Sequence, residues 1–232
     1  MATFVLLPGA GSDSFYWHRV SPMLSNNGHA VITVDLPYAD AEAGQYEFAD
    51  LVAEGAACTA QPLILVAQSM SAFTAAIVCE KIEVDLLVLV APMLPAPGES
   101  PGQWWENTGQ EAARRAADVE EGRNPDAPMD PIPLFFHDVP PEVADEVLGR
   151  GEVTMADTPF ETVWDAQSWP EVPIRVVAGR YDRLFPLDFL EKLARDRVGV
   201  DVDVVDAGHL IALSRPEQLA ALLEEYVTDL PG

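Results

Sequence analysis

The 232-residue chain is predicted to form an open α/β sheet of about six mostly parallel strands, flanked by helices and carrying an inserted helical lid. Three observations predict it. Apolar runs of strand length recur along the chain and alternate with helix-forming segments, which implies parallel pairing through crossover connections. That alternation breaks off near residue 95 and resumes near residue 169, so residues 1–94 and 169–232 form the core and residues 95–168 an inserted lobe. Residues able to do chemistry also fall directly after strand ends, where function gathers in such sheets.

Residues 3–7 read as a buried strand broken by Pro8, Gly9, Ala10 and Gly11. Ser12, Asp13 and Ser14 are candidate caps for a helix bearing Phe15, Trp17, Val20 and Leu24, which Gly28 and His29 end. A second strand, residues 30–34, closes on Asp35, Leu36 and Pro37, and a helical stretch follows at residues 46–58. The third strand, residues 63–66, runs through Ala67 and Gln68 into Ser69 and directly into a helix of small and apolar residues. The fourth, residues 86–90, ends at Ala91 and Pro92.

The inserted lobe is rich in Pro, Trp, Phe and acidic residues, with short helical segments such as residues 110–121 and 141–150. A fifth strand at residues 174–178, a helix at 186–197 and a sixth strand at 201–205 restore the alternation. The last helix is expected to open at Ser214, where Ser214 and Glu217 match a capping box with Pro216 in the first turn, and to run through Leu219, Leu222, Leu223 and Tyr226.

A formal net charge of −25 argues against nucleic acid or anionic membrane as a partner, and also against a highly anionic substrate. No apolar run approaches the roughly 18 residues of a membrane span. Met1 to Val5 enter a strand at once, with no basic region and no cleavage site, so the expectation is a cytoplasmic protein without a secretory signal. Cys58 and Cys79, the only cysteines, sit in apolar helical contexts and read as buried free thiols. Metal-ligand spacing is absent, and Gly9 and Gly11 are not followed by the Gly-Lys-Ser/Thr of a phosphate loop. No pattern specifies an oligomeric state. The partner implied is a small-molecule substrate.

Three residues carry the candidate chemistry. Ser69 lies on a sharp strand-to-helix turn flanked by small residues, Ala67 and Ser71, where the usual pattern has glycines. By itself that turn also fits a serine capping a helix. Asp182 follows the fifth strand and also fits a cap for the helix near Pro186; His209 follows the sixth and also fits a loop histidine. Their joint occurrence at three strand ends, in the order Ser, Asp, His, is what selects a nucleophile–acid–base triad. The interval from Ser69 to Asp182 leaves room for a crossover and a lobe, and that from Asp182 to His209 fits one helix and one strand. The amides of Met70 and Ala10 would then meet an oxyanion.

With these residues in view, the sequence resembles the α/β-hydrolase superfamily over nearly its whole length. It is similar within that superfamily to the small esterase-like group that includes plant methylesterases and hydroxynitrile lyases. The matching positions are Phe4 to Gly11 with Trp17, Gly28-His29, Asp35 to Pro37, Ala67 to Ser71, Gly179 to Asp182 and Gly208-His209. The resemblance implies hydrolysis of an ester or related acyl bond through an acyl-serine, without a cofactor. Pro8 replaces the histidine that many relatives carry before the oxyanion-loop glycine. Leu210 replaces the lysine of the lyases, which counts against cyanohydrin cleavage, and Ser69 excludes the aspartate nucleophile of dehalogenases.

The expected activity is that of a carboxylesterase on a small, uncharged, apolar ester or lactone. The alternatives are a non-hydrolytic small-molecule binder or receptor on the same fold, or a C–C bond hydrolase or perhydrolase using the same triad. Trp104, Trp105, Phe135, Phe136, Phe160 and Trp164 would line an apolar substrate pocket or build the lobe's own core. His137-Asp138 suggests a second acid–base pair but reads as solvent-facing polarity, and His18 and His29 read as helix-end residues.

Overall fold

A computed structural model describes residues 1–230; residues 231 and 232, the end of the second expected core segment, lie outside the described residues. Six strands, β1 Thr3–Leu7, β2 Ala30–Thr33, β3 Leu63–Gln68, β4 Leu86–Val90, β5 Ile174–Gly179 and β6 Val202–Val205, form one sheet in the order β2-β1-β3-β4-β5-β6. Every pairing is parallel; Leu6 stands beside Thr33 and Val66, Val66 beside Val88, Leu89 beside Val176, and Val177 beside Asp203. The expected parallel α/β sheet is therefore present. Strands β1, β3 and β4 are buried along their whole length and, as strands covered on both faces, are apolar at nearly every position. The edge strands β2 and β6 are only partly covered.

Helices α1 Ser21–Asn26, α2 Gln45–Ala56 and α3 Ser71–Lys81 belong to the first half of the core. Between β4 and β5 come α4 Pro101–Thr108, α5 Gln110–Glu120, α6 Pro131–Phe135, α7 Pro141–Gly149 and α8 Thr158–Glu161; α9 Leu187–Val198, α10 Ile211–Ser214 and α11 Pro216–Thr228 follow. Successive strand residues point to opposite faces and create two cores. On one face Val5, Leu65, Leu87 and Val176 pack with Phe48, Phe73 and Leu190 from α2, α3 and α9. On the other, Phe4, Ile64 and Val88 pack with Trp17, Leu24, Leu219 and Leu223. His29 ties this second face together. Its Nδ1 accepts the Ala2 N–H at 3.0 Å, and its Nε2 meets Glu224 Oε2 at 2.9 Å.

Several expectations need correction. The helix predicted from Phe15 to Leu24 is two pieces, a 3-10 turn at Ser14–Trp17 capped by Asp13 and α1, which restarts with Pro22 in its first turn. A proline has no N–H to give and crowds the carbonyl four residues back, so one continuous helix cannot form there. Ser214 does not cap the last helix. It ends the turn Ile211–Ser214 and its Oγ has no hydrogen-bond partner, while α11 starts at Pro216 with Arg215 as its cap residue. Ser214 therefore stands one residue too early.

Cys58 is exposed rather than buried, because α2 ends at Ala56 and leaves it on the following turn. Cys79 is largely enclosed, and burial pushes its thiol up to about 12. Only thiolate is nucleophilic, so one of the two thiols should titrate rapidly with a disulfide reagent and the second only after denaturation. Two equally fast thiols would contradict this burial. Among the described residues, no helix is long and apolar enough to cross a membrane.

Candidate active site

The turn after β3 holds Ser69 at φ 54°, a left-handed backbone that costs a non-glycine residue roughly 1–2 kcal/mol. Neighbouring structure imposes it. The Ser69 N–H donates to Val90 O at 3.0 Å, and the Ser69 carbonyl accepts the Met93 N–H at 3.0 Å. Both flanking residues are buried. Ser71, where glycine is usual, fits because its hydroxyl donates to Gln68 O at 2.8 Å. Ser69 thus emerges at the start of α3, with its side chain partly accessible.

Two loops from neighbouring strands complete the arrangement. Gly179, at the end of β5, has no room for a side chain, since a Cβ would collide with Gly208 O and lie 2.6 Å from Ala207 O. That close approach, with the Tyr181 N–H on Ala207 O at 2.9 Å, seats the aspartate loop against the histidine loop. Asp182 Oδ1 accepts the Leu184 and Phe185 N–H groups at 2.8 and 3.0 Å. Its other oxygen meets His209 Nδ1 at 2.8 Å, and His209 Nε2 lies 3.2 Å from Ser69 Oγ. Asp182 and His209 are only 5% and 2% exposed, so their bond is shielded from water. The three sequence-predicted residues stand in one hydrogen-bonded line.

The loop after β1 crosses closely over the serine. A side chain at Gly9 would strike Gln68 Oε1 and stand 3.1 Å from Ser69 Cβ. Asp35 holds this loop by accepting the Ser14 N–H at 2.7 Å, which accounts for an acidic residue two positions after β2. Among the described residues, neither the Ala10 nor the Met70 main-chain N–H donates to a protein acceptor. Both belong to segments bordering Ser69. The hydrogen-bonded line can draw a proton from the Ser69 hydroxyl.

A model of the alpha/beta hydrolase family matches residues 4–222. The chain belongs to that family. It is similar to norfluorocurarine synthase 1 of Strychnos sp, at 24% identity over 96% of this chain and 94% of the relative. It is also similar to methylesterase 3 of Arabidopsis thaliana, at 24% identity over 95% and 94%. Among solved structures, polyneuridine aldehyde esterase superposes with a TM-score of 0.77 at 18% identity, covering 98% of this chain and 99% of that one. A pyrethroid hydrolase from Sphingobium faniae JZ-2 also gives 0.77, at 20% identity over 98% of both chains.

In this alpha/beta hydrolase the aromatic residues of the inserted segment divide by position. Trp104 and Trp164 are fully buried and belong to the sheet's own core, so they do not line an open pocket. The Trp104 indole N–H donates to Leu94 O at 2.8 Å and its ring packs on Phe185; the Trp164 N–H donates to Glu80 at 2.9 Å. Phe136 packs against the opposite core face. Phe135 reaches the site, its ring centroid 5.5 Å from that of His209. Phe185, on the aspartate loop, approaches the same imidazole edge-on at 5.1 Å. Met155 reaches the glycine-rich loop, 3.9 Å from where a side chain on Gly11 would begin. Neither Phe185 nor Met155 was singled out by sequence patterning; for Phe185 its place three residues after Asp182 was the available signal.

His137 and Asp138 are not solvent-facing polarity. Asp138 Oδ2 accepts the Gly208 N–H at 2.7 Å, and His137 Nε2 is buried beside the same glycine. Burial, and then the positive charge of Arg183, hold the His137 imidazole below its ordinary value of 6.5, against the pull of Asp138 and Asp182. The folded protein therefore binds this proton less readily than the unfolded chain. The stability tied to the neutral ring is complete above the ordinary value and is lost as pH falls below it. The melting temperature of the wild type should drop more between about pH 7 and pH 5 than that of His137→Gln. Parallel curves for the two proteins would contradict this.

Proposed function

We propose that the protein is a serine hydrolase, a carboxylesterase acting on small, uncharged, apolar esters or lactones through an acyl-serine intermediate. One observation carries this reading, the continuous hydrogen-bonded line from Asp182 through His209 to Ser69, with the serine held at positive φ on its turn. Ser69 Oγ attacks the ester carbonyl carbon as His209 Nε2 takes its proton. Asp182 fixes the tautomer and stabilises the imidazolium. The carbonyl oxygen becomes an oxyanion facing the Ala10 and Met70 amides, a contribution of about 10²–10³ in rate per donor in comparable sites. Collapse expels the alcohol, which takes the proton back from His209. Water then repeats the sequence on the acyl-serine and releases the acid.

The substrate class is inferred from the surroundings. Phe135 lies against the His209 imidazole, Met155 lies against the glycine-rich loop, and a net charge of −25 repels anionic molecules. A relative named as a methylesterase and a structural neighbour named polyneuridine aldehyde esterase support ester chemistry. A series of p-nitrophenyl esters of increasing acyl length is the direct test. Turnover of the short acyl esters, falling off as the chain lengthens, is expected; no turnover of any member would overturn the esterase reading.

A further inference from the structure

We propose that Asp138 is a positioning residue for the catalytic imidazole, and that the stretch from Pro133 to Asp138 clamps the aspartate and histidine loops into register. The proposal rests on reading Ser69, His209 and Asp182 as the catalytic triad.

Three contacts define the clamp. Arg183, next to Asp182, donates to Pro133 O at 2.7 Å. The Phe135 ring lies against the His209 imidazole at 5.5 Å. Asp138 accepts the N–H of Gly208, the residue immediately before His209, at 2.7 Å. Three residues within a six-residue stretch of the inserted segment therefore hold both loops, and they hold the histidine loop through the imidazole ring and through the main chain. A charged acceptor on a peptide N–H is roughly twice as strong as a neutral one, and it fixes the orientation of that peptide. His209 has to present its two nitrogens in two directions at once, so the peptide that carries it governs both distances.

Gly208 shows that the fit is close. A Cβ there would lie 2.6 Å from Asp138 Oδ1 and 2.7 Å from His137 Nε2. No positive φ demands a glycine at this position, so the approaching polar groups are what exclude a side chain. Both of those atoms are buried without a hydrogen-bond partner, an arrangement that costs free energy. Aliphatic side chains would fill the same volume without that cost. Polar groups there are accounted for by the bond that one of them makes to the histidine loop.

Steady-state hydrolysis of the best p-nitrophenyl ester, together with hydrogen exchange of the Gly208 amide read by NMR without substrate, tests the clamp. Asp138→Ala should lower kcat by about tenfold to a hundredfold with KM changed by less than about twofold, the signature of a misaimed group rather than of lost binding. Asp138→Asn keeps an acceptor oxygen and should recover activity to within about threefold of wild type. Gly208→Ala should fall by a similar factor alone and add little in the Asp138→Ala background, because both break one contact. The Gly208 amide should be protected in the wild type and exchange freely in Asp138→Ala. An unchanged kcat in Asp138→Ala would overturn the proposal, as would rapid exchange of Gly208 in the wild type, which needs no variant to fold. If the wild type hydrolysed no ester at all, the functional reading would fail while the amide comparison still decided whether Asp138 holds this peptide.

Discussion

Asp182→Asn is expected to lower kcat by about 10³–10⁴ while leaving the fold intact. Asp182 Oδ1 already serves two main-chain donors, Leu184 and Phe185. An asparagine keeps those bonds by leaving its oxygen in place, which turns its NH₂ toward His209 Nδ1. A donor facing Nδ1 forces the imidazole to carry its proton on Nε2, the nitrogen 3.2 Å from Ser69 Oγ. In that tautomer His209 cannot accept the serine proton. Ester hydrolysis by the purified variant, with a thermal melt as control for folding, measures the effect. A variant with wild-type kcat would mean that another group performs this role.

The largest expected loss of stability lies elsewhere, at Glu99. This carboxylate is 3% exposed and pairs with Arg197 of α9 through both oxygens, at 2.5 and 3.1 Å. It also accepts from the Ala96 N–H at 3.1 Å and from Asn107 Nδ2 at 2.8 Å. The pair joins the start of the inserted segment to a core helix. Glu99→Ala strands a mostly buried guanidinium, and removing one partner of a buried pair typically costs about 3–5 kcal/mol. The urea midpoint should fall accordingly with little change in slope. Replacing both residues, as Glu99→Leu with Arg197→Met, should restore much of the loss, since no unpaired charge then remains. A single variant as stable as wild type would show that the pair adds nothing.

Much of this molecule is legible in its sequence, and the physical reason is the parallel sheet. Strands covered on both faces are near-continuously apolar, so β1, β3 and β4 read directly as apolar runs. The candidate nucleophile, acid and base were legible for a related reason. Each follows a strand, and parallel strands deliver their carboxyl ends to one edge. What could not be read depends on contacts between distant residues. The composition of the inserted segment does not distinguish an aromatic residue that lines a pocket from one that fills a core. Trp104 and Trp164 fill the core, whereas Phe135 reaches His209.

Asp138 is the sharpest case. It bonds a main-chain N–H 70 residues away, and a peptide group has no side-chain identity for a motif to match. The need for Gly9 and Gly179 likewise comes from what lies across from them, not from their own backbone angles. The start of α4 was within reach, since Ser100, Pro101 and Gln103 form a capping box with proline in the first turn. It was hidden by a neighbourhood rich in proline and tryptophan, a composition that argues for loop.

The central claim is that Ser69 is a nucleophile activated through His209, and covalent labelling tests it without knowledge of the substrate. A fluorophosphonate probe incubated with the folded protein, followed by peptide mass spectrometry, should give one adduct on Ser69, with none in Ser69→Ala and a much slower rate in His209→Ala. A folded wild-type protein that stays unlabelled, or an adduct on some other residue, would contradict the account.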